Sequence, residues 1–107
     1  MAIRTEKVSI QVASEPRPMS AYLAIPEGGG VRPAVVVFQE IFGVNSHIRD
    51  VTERFAKEGY VAIAPDYHHR TAPDQELNYD AEGRQKGMPL IAKLTEAGVM
   101  ADVSATL

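Results

Sequence analysis

The 107 residues contain no cysteine. That excludes disulfides, thiolate metal sites and any cysteine nucleophile drawn from these residues. No apolar run approaches the roughly 18 residues of a membrane span, so no membrane partner is expected. The opening MAIRTEKVSI carries no apolar signal region, which implies a cytoplasmic setting. Positive charge is not in excess. Eleven Lys and Arg against 14 Asp and Glu give a formal net charge of -3, and no basic patch invites a nucleic acid. Phosphate-binding loops are missing too. There is no G-x-G-x-x-G after the first strand pattern and no P-loop, and no cofactor is expected. Serines stand at 9, 14, 20, 46 and 104, none of them in G-x-S-x-G, so no nucleophile elbow is visible. Ser46 reads as a helix cap rather than a nucleophile.

What is present is globular. Hydrophobic residues make up 45% of the chain, too many for disorder. The length suits one domain or part of one. The organising stretch is residues 33–44, PAVVVFQEIFGV. Residues 34–38 are continuously apolar and β-branched, as in a strand buried on both faces. The run ends in Glu40, and a helical pattern follows at once. Open α/β sheets place their ligands where a central strand meets such a loop. A carboxylate there either has a specific partner or task, or simply points into water.

Residues 5–12 alternate, with Val8, Ile10 and Val12 on one face and Glu6, Ser9 and Gln11 largely on the other, as in a half-buried strand. Residues 14–18 hold two prolines and form a turn. A second strand over 19–25 completes a hairpin, and the glycine triplet within 27–32 reads as a surface loop. After the central strand, Asn45 or Ser46 caps a helix whose inner face carries Ile48, Val51, Phe55 and Ala56. Asp50 with Arg54, and Glu53 with Lys57, are spaced for ion pairs on its wet side. Gly59 stops it. Residues 60–64 then form a strand parallel to the third. Residues 65–80 are polar, and Asp74 is placed to cap a helix. Gly83, Gly87 and Pro89 are expected to cut the following segment into short pieces. A last helix is expected over 100–107, beyond Gly98.

Asp66, Tyr67, His68, His69 and Arg70 follow the fourth strand at the same sheet end as Glu40. They read either as a solvated loop with locally bonded histidines or as a substrate-lining loop, with Tyr67 on it and Arg70 meeting an anion. Adjacent histidines diverge and the i,i+4 spacing of helical zinc ligands is absent, so no metal is expected.

The stretch VVVFQEIFGVNSHIRDVTERFAKEGYVAIAPDYHHR closely resembles the N-terminal half of the dienelactone hydrolases, a branch of the α/β-hydrolase fold. Two motifs carry the likeness. One is Gln39-Glu40-Ile41-Phe42-Gly43 with Asn45 and Ile48-Arg49 after it. The other is Gly59-Tyr60 leading to Ala64-Pro65-Asp66-Tyr67. Glu96-Ala97-Gly98-Val99 and Asp102 resemble the helix before the family's nucleophile strand. The resemblance implies an α/β fold, the N-terminal half of an α/β-hydrolase: an antiparallel hairpin, a parallel βαβ unit and flanking helices. Residues 1–107 would then be a partial domain ending before the nucleophile strand. It implies hydrolysis of a small-molecule ester or lactone, of the carboxymethylenebutenolide type, by a Cys-His-Asp triad lying beyond these residues. Glu40 would match the carboxylate that activates the nucleophile. Ile41 would supply a backbone oxyanion donor, and Phe42, Tyr67 and Arg70 would line the substrate. Arg84 and Tyr79 lie near the family's substrate-binding arginine and tyrosine, but out of register. Without the family's fifth strand, the third strand would be an apolar edge, so self-association or a complementing C-terminal chain is expected. The alternative is a non-catalytic module that binds a small ligand or partner at the Glu40 and Asp66 end.

Overall fold

The computed structural model of the chain describes residues 2–13 and 15–107. Four strands form one sheet in the order β1-β2-β4-β3. β1 (Ile3–Ile10) and β2 (Met19–Pro26) make the expected antiparallel hairpin, with Ile3 opposite Pro26 and Ile10 opposite Met19. Ser14, in the expected turn, lies outside the described residues. Val12 runs past the end of β1 and is fully buried.

β3 (Ala34–Val36) pairs parallel with β4 (Val61–Pro65), and β4 pairs antiparallel with β2. The βαβ unit is therefore as expected. The third strand is shorter than expected, and it is not buried on both faces. It stands at the sheet edge, where Ala34 is exposed and Val35 and Val36 are half-buried. Phe38, expected inside it, is 56% exposed. Among the described residues it is paired on one side only, with β4.

α1 (Ser46–Lys57) is capped by the Asn45 side chain, which accepts the Ile48 N–H at 3.1 Å. Gly59 follows its end at φ +101°, the left-handed turn that glycine adopts without a steric penalty. Val37, Ile48 and Ala64 are the buried centre between α1 and the sheet, with Tyr22, Val35, Val44 and Val51 packed around them. Asp50 pairs with Arg54 as expected. Glu53 instead accepts the Tyr22 hydroxyl at 2.8 Å, tying α1 to β2.

The second half corrects three expectations. Asp74 caps no helix. It sits at φ +60°, and its carboxylate meets Lys7 at 2.9 Å and the Ser20 hydroxyl at 2.6 Å. The next helix, α2 (Ala81–Ala92), is capped by Asp80 through the Gly83 N–H, and it runs unbroken past Gly83, Gly87 and Pro89. α3 (Glu96–Thr106) starts earlier than expected. Thr95 caps it by accepting the Gly98 N–H at 3.0 Å. In both helices a glycine N–H donates to the capping side chain, so glycine sits inside the first turn rather than ending the element.

Candidate active site

Parallel pairing of β3 and β4 sends both strands out at one end of the sheet. The loops that follow them, 37–45 and 66–80, are consequently neighbours. Glu40 lies on the first of these loops and is exposed. It has a partner nonetheless: the Tyr79 hydroxyl donates to Glu40 Oε1 at 2.5 Å. The Tyr79 ring meets Phe42 edge to face, with centroids 4.5 Å apart. Such aromatic pairs are worth about 0.5–1.5 kcal/mol beyond area burial. Partial burial and the adjacent Glu40 carboxylate both raise the Tyr79 phenol above its ordinary value.

The backbone of the Glu40 turn is fastened to the second loop. The Gly43 N–H donates to the Glu40 carbonyl at 3.2 Å, and the Leu77 N–H donates to the Phe42 carbonyl at 2.9 Å. Gly43 has φ +83°, and a Cβ there would lie 1.9 Å from the Gln75 carbonyl oxygen. Arg49 clamps both loops, donating to the Val44 carbonyl at 3.0 Å and to Glu76 at 2.6 Å. The Ile41 carbonyl faces His68 Nε2 at 3.1 Å. Among the described residues, no acceptor takes the Ile41 N–H. A backbone N–H without an acceptor, in a turn held from several sides, is free to donate to an oxygen placed against it.

A cleft of about 440 Å³ adjoins this turn, lined by Phe42, Tyr79, Asp80, Ala81 and Arg84. Phe42 is one of its walls. Tyr67 and Arg70 do not line it. They line a separate cavity of about 100 Å³ with Thr71, Lys93, Leu94, Thr95 and Val99. Tyr67 stacks on Phe38 with centroids 5.1 Å apart. Burial, with a contribution from the Asp102 charge, pushes its phenol up to about 12. The Tyr67 N–H donates to Gln39 Oε1 at 2.8 Å, another tie between the loops.

The 66–70 segment is not solvated. Asp66, Tyr67, His68 and His69 are all buried. Asp66 accepts the His68 N–H at 3.0 Å and the Asp74 N–H at 2.8 Å, which pins both ends of the loop. Burial raises its carboxyl above the ordinary range, against the opposing effect of those two bonds. His69 Nε2 lies 2.9 Å from Asp102 Oδ1. Arg70 grips the same carboxylate with both terminal nitrogens, at 3.0 and 2.9 Å, and gives its Nε–H to Glu15 at 2.6 Å. Its donors are thereby directed inward, to a carboxylate of α3 and one in the hairpin connection.

A cavity of about 130 Å³ is walled in part by Lys7, Ser20, Arg49, Asp66, Asp74 and Glu76. Lys7 pairs with Asp74 and Arg49 with Glu76, so its charges serve one another and hold the loop. Among the described residues, no group of three His, Asp or Glu side chains converges, and no helix is long and apolar enough to cross a membrane.

Sequence reasoning missed the parts played by Tyr79, His68 and Asp102. Tyr79 lies in a polar segment without periodicity, which gives no signal of its direction. Asp102 does leave one: a lone carboxylate among Val99, Met100, Ala101 and Val103 on a helix calls for a buried partner.

The chain is similar in sequence and in fold to several known proteins. The model of the dienelactone hydrolase family matches residues 19–107. A Synechocystis sp. protein assigned as a carboxymethylenebutenolidase is 45% identical over 107 residues, which is 100% of this chain and 44% of that protein. The crystal structure of a protein from Klebsiella pneumoniae subsp. pneumoniae assigned as a dienelactone hydrolase superposes with a TM-score of 0.82. It is 38% identical and covers 99% of this chain and 42% of its own. A dienelactone hydrolase-like promiscuous phosphotriesterase from metagenomic libraries superposes at 0.70 with 25% identity, covering 98% of this chain and 41% of its own. The chain thus spans less than half the length of these relatives.

Proposed function

The chain belongs to the dienelactone hydrolase family, and from that premise we propose that it forms the Glu40 half of a site that hydrolyses a small ester or lactone. The carrying observation is the Glu40–Ile41 turn, where a carboxylate stands beside a backbone N–H without an acceptor among the described residues. These residues contain no cysteine, so on this reading the thiol comes from outside them, and the family resemblance implies the same of the triad histidine and aspartate. On this reading the thiol passes its proton to Glu40 when substrate enters. The thiolate sulfur bonds to the carbonyl carbon, and the Ile41 N–H receives the charge that develops on the oxygen. Collapse of the adduct expels the alkoxide or enolate, which takes a proton, and leaves a thioester for water to cleave. Phe42 and Tyr79 give the cleft apolar walls, and Arg84 gives it a cation suited to a carboxylate on the substrate.

The same reading assigns a partner to the free edge of β3. Either a second copy or a complementing C-terminal chain covers it, since an uncovered apolar edge invites pairing. The test of the reading is a chimera joining residues 1–107 to the remaining part of the Synechocystis relative. It is expected to hydrolyse simple esters and lactones and to be silenced by a thiol-alkylating reagent, while the 107 residues alone are inactive. A folded chimera without hydrolase activity that still binds small ligands at the cleft would favour a binding module instead.

A further inference from the structure

His68 is the one fully buried histidine, and the proposed reaction does not use it. Its backbone is fixed on both sides. The N–H donates to Asp66 Oδ1 at 3.0 Å, and the carbonyl accepts the N–H groups of Thr71 and Ala72 at 3.1 and 2.8 Å. The imidazole is thereby aimed from the loop after β4 into the turn after β3. There Nε2 lies 3.1 Å from the Ile41 carbonyl oxygen. That oxygen can only accept, so Nε2 carries the hydrogen.

The other ring nitrogen, Nδ1, is buried and has no partner. An apolar ring of similar size would fill the space without leaving a polar atom orphaned, so burial alone does not call for histidine here. α2 also approaches the Ile41 carbonyl. A Cβ on Gly87 would stand 2.8 Å from this oxygen, so only glycine lets the helix come so close. The carbonyl is thus met by one donor and by one closely packed helix.

We propose that His68 is a positioning residue: its Nε2–H holds the Ile41 carbonyl and thereby sets the orientation of the Glu40–Ile41–Phe42 turn. The proposal rests on the hydrolase reading only for what the turn does, since the geometry it describes is that of this chain alone. His68 touches no reacting atom. It acts through the peptide it holds, and the loop after β4 becomes the template on which the loop after β3 is set.

The experiment is amide hydrogen exchange on the 107-residue chain, read at Gly43 and Leu77, whose N–H groups bond to the carbonyls of Glu40 and Phe42. His68→Phe is expected to speed exchange at these two amides about tenfold or more while the amides of α1 and β4 keep their protection. His68→Gln places an amide N–H near the position of Nε2 and is expected to restore most of the lost protection. His68→Asn reaches only the position of Nδ1 and is expected to behave like His68→Phe. Equal exchange in all four proteins would overturn the proposal. So would a loss spread over the whole chain, or a His68→Gln protein no better than His68→Phe.

Ring nitrogen shifts of the unmutated chain at neutral pH give a second reading that needs no variant to fold. Hydrogen on Nε2 is expected, and a ring with its only hydrogen on Nδ1 overturns the proposal. If the exchange pattern holds but the chimera hydrolyses nothing, the positioning role stands and the hydrolase reading is what fails.

Discussion

Asp102, on the last helix, is fully buried and accepts hydrogen bonds from both terminal nitrogens of Arg70, with His69 Nε2 2.9 Å from one of its oxygens. One carboxylate thus docks α3 onto the loop that follows β4. Removing one member of a buried pair leaves the others uncompensated, which costs about 3–5 kcal/mol. Asp102→Ala is expected to lower unfolding free energy by about that amount in urea titration. Asp50→Ala removes an exposed pair with Arg54. It should cost no more than about 1 kcal/mol. Similar losses in the two variants would mean that the buried cluster does not anchor α3.

Tyr79 and Glu40 offer a more local test. The Glu40 carboxylate contributes to the raised phenol of Tyr79, alongside partial burial. Glu40→Gln is expected to bring Tyr79 part of the way back toward its ordinary value, visible in ultraviolet titration of the phenolate. Tyr79→Phe keeps the ring on Phe42 and should leave the melting temperature almost unchanged, because the bond it loses is exposed.

Two glycines at positive φ should respond very differently to alanine. At Gly59 the nearest atom among the described residues is an Arg32 side-chain nitrogen at 3.5 Å. The cost there is the left-handed backbone alone, about 1–2 kcal/mol. At Gly43 the added Cβ would collide with the Gln75 backbone as well. Gly43→Ala is expected to be clearly the more destabilising in urea titration, and to disturb NMR shifts from Glu40 to Asn45. Equal effects would mean that the two loops are not in contact.

The acid limb of stability should carry two opposed slopes. Asp74 lies below the ordinary carboxylate range, first through its Ser20 hydrogen bond and then through Lys7. Its contribution is full above its unfolded value, about 3.9, and is lost as pH falls through the depressed folded value. Asp66 lies above the ordinary range because it is buried. The folded state therefore binds its proton more tightly, and its contribution weakens as pH rises from the unfolded value through the folded one. Lys7→Ala weakens the first effect and spares the second. Urea titrations from pH 2.5 to 6 should therefore show a smaller loss of stability below pH 4 in that variant.

Most of the first half of the fold was legible because its signals are local; the length and burial of β3, which depend on its sheet neighbours, were not. The alternation of Val8, Ile10 and Val12, the Asn45 cap before an amphipathic run, and Gly59 at the helix end each act within a few residues. The second half was not, because glycine reports two different needs. Gly83 and Gly87 read as helix breakers, yet they are close-approach points, where a Cβ would meet the carbonyl oxygens of Asn78 and Ile41 at 1.9 and 2.8 Å. Only the tertiary neighbour tells the two apart. The site divides in the same way. Glu40 was visible as a charge closing an apolar strand. Its partner Tyr79, and Arg70 turned inward to Asp102, depend on contacts between distant segments that no spacing in the chain announces.

The most direct test of the account is the effect of Glu40→Gln on ester hydrolysis by the chimera with the Synechocystis relative. A carboxylate that takes the proton of the nucleophile contributes about 10²–10⁴ in rate. The account predicts that kcat/KM falls by at least about 100-fold while circular dichroism and melting temperature stay unchanged. A variant that hydrolyses as fast as its parent would contradict it, and would leave Glu40 as a surface carboxylate hydrogen-bonded to Tyr79.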